Sequence, residues 1–408
     1  MALSKVIINI ANGALGGVSG LNDGIAGLIV SGAVAPNVGW PLGTAKAFYS
    51  IEDVKDAGLN AAYDTTNSTH AYRQVAEFYS VAGDGAKLWI MVVAPTESME
   101  DIADGTSDNA YAKKLLKDAG GEIRLLGITR KPGVAYVPTF LKGIDDDVIG
   151  ALAKAQLLAE EQAAKMAPVV ILVEGRAYQS DSAGLEDLKG LGYNRVGAVI
   201  VSSEAAVVAG THDKSAAVGL LLGTLAGLPV MRKAGRVKNG ATPVVTAYFS
   251  DGSQFDNDVA NSIDDKGWIT FAQYPRRSGY YWGNDNLATD ADDDYNSIVN
   301  RRVIDKAMLV SYDTFVGELN DEVEVDEEGK LAPGIVMYHE GKISNALDLQ
   351  MYSTAVGKKE ISGKTVFIDP AQNILSSGIE YVVIKLTPMG YNKEIAITLG
   401  FQNPALAQ

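Results

Sequence analysis

From Gly24 to about Pro275, short apolar runs alternate with helix-length amphipathic stretches, and that alternation leaves few folds open. Ile25–Ser31 and Lys87–Ala94 are almost wholly apolar, as strands buried on both faces must be. Between them, Ile51–Leu59 and Ala71–Val81 repeat their apolar residues at helical spacing. Ile123–Thr129 predicts a further strand, Val148–Met166 a helix stopped by Pro168, and Val169–Glu174 a strand directly after it. Val196–Ser203 reads as another strand. Ser215–Leu225 is built of small residues, which predicts a helix packed closely on its neighbour and ended by Pro229. Strands joined through helices need crossover connections, so residues 25–275 are expected to form an outer α/β domain with a doubly wound, largely parallel sheet.

The flanks read differently. Residues 1–24 form an N-terminal extended arm, in which Val6, Ile7, Ile8 and Ile10 lie in one β-prone run tethered by the glycine-rich Asn12–Gly20. A single strand on such a tether cannot bury itself and must pair with a distant segment or another chain. Residues 276–408 are expected to form an α+β C-terminal domain. Ile298–Leu319 reads as one helix, or as one interrupted near Asp313, and Gly317–Leu331 as a charged loop or hairpin. The remainder is β-prone at Thr365–Ile368, Tyr381–Thr387 and Glu394–Phe401. Tyr381–Leu386 and Ile395–Leu399, joined across Pro388–Asn392, read as a hairpin.

Composition narrows the function further. The 408 residues include no cysteine, which removes disulfides, thiolate metal sites and cysteine nucleophiles. A formal charge of −15 disfavours nucleic-acid phosphates. The best basic segment, Arg232–Lys238, is short and lacks interleaved aromatics, so it reads as a solvated loop or a protein contact. The longest apolar run, Ala216–Leu228, is too short to span a bilayer, and the N-terminus does not read as a secretory leader. A soluble protein made in the cytosol is expected.

Chemistry-bearing patterns are sparse. His70, His212 and His339 stand in unrelated contexts, without metal-ligand spacing. His212-Asp213 beside Ser215 invites a hydrolase reading, but adjacent residues at a helix start do not supply triad geometry. Thr211 or Asp213 capping the helix near Ser215 is the simpler expectation. Gly13–Gly20 lacks the closure of a phosphate loop. Asp290–Asp294 opens like a calcium loop but has Tyr295 at the turn and Arg301 in place of the bidentate glutamate, and reads as surface. Asp145-Asp146-Asp147 fits a helix N-terminus. No catalytic, cofactor or metal residue is assigned. The alternative is a cytosolic α/β enzyme of unknown substrate with a site near His212.

One segment stands out. Arg276 to Thr289 reads Arg-Arg-Ser-Gly-Tyr-Tyr-Trp-Gly-Asn-Asp-Asn-Leu-Ala-Thr, and Asn300-Arg301-Arg302 comes after an acidic loop. Its adjacent aromatics read as an anchor between layers or subunits, and the paired arginines as salt-bridge donors into an acidic scaffold. Tyr281, Trp282, Gly283 and Asn284 ahead of Arg301 and Arg302 resemble the core signature of contractile-tail sheath proteins, from myophages or phage-like contractile injection systems. The order of Phe48–Asp53, Ala71–Val81 and the strand after Lys87 is similar to that of the family's first part. Two departures stand in the pattern: Asp285 occupies a usually basic position, and Ser311–Phe315 replaces an aromatic-Glu-Pro-Asn segment.

The resemblance implies a structural subunit, not an enzyme, that polymerises as stacked hexameric rings around an inner tail tube. Contraction of the sheath would drive that tube through a target envelope. Implied partners are further copies of the chain, the inner tube protein, and baseplate and tail-terminator proteins, with no nucleic acid, membrane insertion or cofactor. After synthesis the subunit would reside in a virion tail or an assembled injection particle. Strand exchange is implied too, with Val6, Ile7, Ile8, Ile10, Ile395, Ile397, Leu399 and Phe401 completing the C-terminal domains of neighbouring subunits. A non-contractile capsid or adhesion subunit would share the polymer logic without shortening.

Overall fold

The computed structural model describes residues 22–352 and 359–400. The arm residues Val6, Ile7, Ile8 and Ile10, together with Phe401, lie outside the described residues. The chain divides into two compact units, one ending at Asp321 and the other beginning at Glu322. Residues 276–321, grouped above with the C-terminal domain, therefore pack within the first unit.

The first unit opens with β1 (Ala26–Ser31), β2 (Ala45–Phe48), α1 (Ile51–Asp56), α2 (Ala61–Asn67) and α3 (Ala71–Ala82). Next come β3 (Leu88–Val93), α4 (Met99–Ala103), α5 (Tyr111–Asp118) and β4 (Leu125–Ile128). A small hairpin, β5 (Phe140–Leu141) and β6 (Ile144–Asp145), leads into α6 (Asp146–Ala164) and β7 (Val170–Glu174). After these stand β8 (Val196–Val199), β9 (Val201–Ser203) and a second hairpin, β10 (Val207–Val208) with β11 (Thr211–His212). The unit closes with α7 (Val218–Ala226), β12 (Ala247–Phe249), α8 (Asn257–Asp264), β13 (Phe271–Ala272), β14 (Tyr281–Trp282) and α9 (Ile298–Phe315).

Its sheet runs β2-β3-β1-β4-β7-β8, parallel except for β2, which pairs antiparallel at the edge. Every residue of β1 and β7 is buried, which explains their unbroken apolar sequence. Helices cover both faces. Gly27 and Leu28 point to opposite sides of β1. A side chain on Gly27 would meet Leu115 of α5, whereas Gly127, paired with Leu28, looks onto Val218 and Leu222 of α7.

The small-residue helix finds its close neighbour in α3. A Cβ on Gly219 or Gly223 would lie under 3.0 Å from the carbonyl oxygens of Gln74 and Phe78. The helices thus meet backbone to backbone. Gln74 seals the contact, donating to the Ala216 carbonyl at 2.7 Å and accepting from the Gly219 amide at 2.8 Å. Gly219→Ala is expected to cost about 1–3 kcal/mol through overpacking. A urea midpoint equal to wild type would show that the helices separate freely.

Several boundaries differ from expectation. Val196–Ser203 is two strands, because the chain leaves the main sheet at Ile200 and β9 pairs antiparallel with β12. α9 is the single helix read from the sequence, unbroken through Asp313, but it ends at Phe315 rather than Leu319. α7 starts at Val218 without a side-chain cap, so neither Thr211 nor Asp213 caps it. Thr211 is held in β11, and the Asp213 carboxylate is taken by Arg73 at 2.7 Å.

The second unit contains α10 (Pro333–Gln350), β15 (Ile361–Ile368), α11 (Ile374–Ser377) and β16 (Val382–Pro388). The periodicity of α10 is hard to read, because its buried stripe of Val336, His339, Ile343 and Leu347 is diluted by a histidine. Pro333 in its first turn is the start signal that the sequence offers. β15 and β16 pair antiparallel, and Ile368 joins Leu331 and Val336 in a core against which Val382 packs. The expected hairpin between Tyr381–Leu386 and Ile395–Leu399 is therefore not formed. β16 gains a buried contact by turning to β15 instead, and residues 391–400 carry no ladder.

Candidate functional site

The signature residues form a joint inside the first unit. β14 pairs with β13, placing Trp282 opposite Phe271 with ring centroids 4.7 Å apart. The buried Trp282 indole donates to Thr224 Oγ1 of α7 at 3.2 Å. Gly283 donates its amide to the Thr270 carbonyl at 2.8 Å. The next three residues tie separate helices. Asn284 and Asn286 both donate to the Asp264 carboxylate of α8, at 2.6 and 3.1 Å. Asp285 accepts from Lys233 Nζ at 2.6 Å and from the Val299 amide in the first turn of α9 at 3.2 Å. At this position the charge departs from the family pattern, and Lys233 supplies the positive partner.

The arginine pair divides its work. Arg302 donates to the carbonyls of Leu225 and Leu228 at the C-terminal end of α7, at 3.1 and 3.3 Å, and to the Asp23 carbonyl at 3.1 Å. A cation there satisfies end carbonyls and favours the helix dipole. The expectation of a salt bridge holds for Arg301. Arg301 bonds Asp305 one turn on, at 2.8 Å, and lies over the Tyr295 ring at 4.7 Å. Arg195, just before β8, grips the same carboxylate with two bonds of 2.9 and 3.0 Å. Trp282 and Arg302 thus converge on α7 from two segments, while Asp305 holds α9 to the sheet. The triple aromatic run acts here as an anchor between layers.

At the carboxyl ends of the parallel strands, where a sheet of this kind receives ligands, the chain fills the helix N-termini with its own side chains. Asp64 accepts the Tyr72 and Arg73 amides of α3, at 3.0 and 2.9 Å. Asp147 accepts the Met99 and Glu100 amides of α4, at 2.9 and 3.1 Å, and pairs with Arg130. Asp146 and Asp147 lie in the first turn of α6, as the acidic run predicts, but Asp147 serves α4 as well. Glu174 accepts the Ala216 amide just ahead of α7 at 3.0 Å. Positions that could cradle an anion are occupied by carboxylates.

Asp213 sits in this cluster, bonded to Arg73 and within 3.2 Å of His70. Burial pushes its carboxyl up, but Arg73, His70 and the Ser215 hydroxyl outweigh that and hold it well below the usual carboxylate range. Asp213→Asn should cost about 2–3 kcal/mol at neutral pH. A depressed pKa contributes stability that is complete above the unfolded value near about 3.9 and is lost as pH falls through the folded one. The wild-type advantage in urea should therefore stay constant from pH 8 to pH 5 and shrink only below about pH 4. An advantage that fades near pH 6 would place the titration elsewhere.

His212, the candidate of the enzyme reading, contacts Ser202 rather than Ser215, with Nε2 and Oγ 2.7 Å apart. The Lys214 amide donates to Nδ1 at 3.0 Å. That leaves the ring proton on Nε2, which donates to the hydroxyl, the reverse of what an activating base requires. Burial also pushes the His212 pKa down, keeping the ring neutral. One cleft is lined by Asp23, Arg124 and Asp305, and another by Asp104, Lys154 and Glu161. Neither is lined by His212 or Ser202. Among the described residues no cluster of metal-ligating side chains occurs, and no helix is long and apolar enough to cross a membrane.

In the second unit, β15 and β16 form a two-stranded sheet with no further strand on either edge among the described residues. Its outward face leaves Phe367 and Val383 exposed. Ile395, Ile397 and Leu399 lie beyond it in the chain, 72, 74 and 90% exposed. His339 of α10 meets Glu380 at 2.9 Å, a pairing of which the isolated histidine gives no sign.

This fold is that of contractile-tail sheath subunits. The anti-feeding prophage baseplate, 6-fold symmetrised, is similar over 99% of this chain and 99% of that one, at 14% identity and TM-score 0.63. The anti-feeding prophage helical sheath in its contracted state is similar over 98% and 100%, at 12% and 0.62. The PVC sheath complex of an extracellular contractile injection system, also contracted, gives 100% and 99%, at 12% and 0.56. By sequence the chain belongs to the DUF2586 family, whose N-terminal domain matches residues 3–286 and whose C-terminal domain matches residues 294–406. No curated protein matches it by sequence.

Proposed function

We propose that the chain is the sheath subunit of a contractile tail or injection particle. It would polymerise as stacked hexameric rings around an inner tube and shorten to drive that tube through a target envelope. The observation carrying this reading is the end-to-end likeness to the contracted helical sheath, which spans both units rather than a shared α/β core. The parallel strand order, with helices on both faces, is read as a doubly wound outer domain. We take residues 25–275 as that outer domain and residues 276–408 as the inner domain whose ribbon receives the exchanged strands.

Strand exchange is the proposed link. A two-stranded ribbon with open edges is marginal alone and invites added strands. The arm strand with Val6, Ile7, Ile8 and Ile10 from one neighbour would take one edge, and Ile395–Phe401 from another neighbour the other. Main-chain bonds would then carry connectivity. Tyr281, Trp282, Gly283, Asn284, Arg301 and Arg302 serve as the internal joint that keeps each subunit rigid while packing between subunits changes. Partners would be further copies, the tube protein, and baseplate and terminator proteins, met after synthesis in the cytosol. No catalytic step is assigned.

Negative-stain electron microscopy of the purified chain is the test. Hollow tubes of stacked six-fold rings are expected, and deletion of Met1–Gly13 should leave a folded protein that forms none. A monodisperse particle under all salt and protein concentrations would overturn the sheath reading, and normal tubes from the deletion would overturn the exchanged arm.

A further inference from the structure

Lys233 of the basic segment Arg232–Lys238 is taken by Asp285, and Arg236 and Lys238 form half of a larger surface. Two stretches of the chain run side by side, with the Thr242 amide donating to the Tyr280 carbonyl at 2.7 Å. Gly279 and Gly235 sit against Ala241 and Gly283, close enough that a Cβ on either would clash. This pairing brings exposed Arg236 and Lys238 near exposed Arg276 and Arg277. Chain reach alone keeps Lys238 and Arg277 within about 24 Å. No aspartate or glutamate occurs between Asp213 and Asp251, nor between Asp265 and Asp285. In a chain of net charge −15 this is a scarce positive surface. Arg236 bonds Asn239, and none of the four carries an ion pair among the described residues.

The complementary surface is present in the same sequence. Between Val316 and Leu331 lie Glu318, Asp321, Glu322, Glu324, Asp326, Glu327 and Glu328, against one lysine, Lys330. A turn presents the last of them. Asp326 holds it by accepting the Glu328 and Lys330 amides at 3.0 and 2.8 Å, which leaves Glu324, Glu327 and Glu328 exposed. Glu324, Glu327 and Glu328, like the four basic residues, are exposed and carry no ion pair among the described residues.

We propose that Arg236, Lys238, Arg276 and Arg277 of one copy dock on the Glu324–Glu328 turn of a second copy. The inference rests on the sheath reading and adds to it a side-chain contact separate from the exchanged strands. Such a contact selects partner and register more than it adds affinity, and it weakens with salt. A second copy of this chain is the occupant that the charges favour, since each polymer contact repeats the same pair of surfaces.

The test is a charge swap in the full-length chain. Arg236→Glu, Lys238→Glu and Arg277→Glu together should raise the protein concentration needed for sedimentable polymer about tenfold. Glu324→Arg, Glu327→Arg and Glu328→Arg should do the same, while the sextuple swap returns to within about twofold of wild type. Each variant should keep wild-type circular dichroism. Polymer that forms equally well in both triple variants, or a sextuple swap that restores nothing, overturns the contact and leaves the sheath reading standing. Retardation of a DNA duplex by wild type, lost in the arginine–lysine variant that still polymerises, would overturn it in favour of nucleic acid. A wild-type chain that never polymerises overturns both readings.

Discussion

Replacing Asp305 with alanine should lower the melting temperature by about 8–15 °C. The carboxylate lies between Arg195 and Arg301, bonded to both, and all three side chains are largely buried. Its removal leaves two guanidinium groups facing each other away from water, which costs about 3–5 kcal/mol. That is a large share of an ordinary stability of about 5–15 kcal/mol, and for a unit of this size each kcal/mol moves the midpoint by about 2–4 °C. The second half of the experiment separates charge from packing. Arg195→Met with Asp305→Leu replaces the buried pair by apolar groups of similar volume, an exchange that is often neutral, and should recover at least half of the loss. A D305A midpoint within about 2 °C of wild type would mean that α9 is held to the sheet by something other than this carboxylate.

Changing Ile395, Ile397 and Leu399 together to serine should abolish polymer while leaving the melting temperature within about 2 °C of wild type. The three alternate along the chain, so in an extended conformation they share one side. They are 72, 74 and 90% exposed in the single chain, and their loss therefore removes no folded contact. Exposed substitutions of this kind shift stability by about 0.5 kcal/mol or less. If the ridge is the side-chain face of an exchanged strand, the same substitutions remove its burial on the neighbour, worth about 1.5–3 kcal/mol for each residue. The effect repeats at every subunit. Tubes forming at the wild-type concentration would remove this segment from the proposed strand exchange.

The outer sheet was legible because burial on both faces writes itself into sequence. Ala26–Ser31 and Val170–Glu174 have no solvent side and so carry almost no polar residue. The closeness of α7 was legible from Gly219 and Gly223, although nothing in sequence named α3 as the neighbour. What failed did so for identifiable reasons. α10 hides behind a buried His339 whose partner Glu380 lies 41 residues away. The break at Ile200 depends on β12, which a run of apolar residues cannot announce. The bonds of Arg302 to Leu225 and Leu228 were illegible because carbonyl oxygens at the end of a helix have no sequence signature. The choice of β15 over Ile395–Leu399 as the partner of β16 is decided by the core around Ile368.

The β15–β16 ribbon has a mechanical consequence. β16 is 7 residues long and spans roughly 24 Å at about 3.4 Å per residue, with rungs from Ile361–Pro388 to Ile368–Val382. A strand laid along such an edge can be pulled in two ways. Tension across the ladder opens one rung at a time, as a zipper does. Tension along it strains every rung together, because the hydrogen bonds of an antiparallel pair stand perpendicular to the strands. Arms that enter along the ribbon from neighbouring copies would be pulled in that second geometry whenever the copies slide past one another. The joints of the polymer would then be toughest in the direction in which a shortening sheath stresses them.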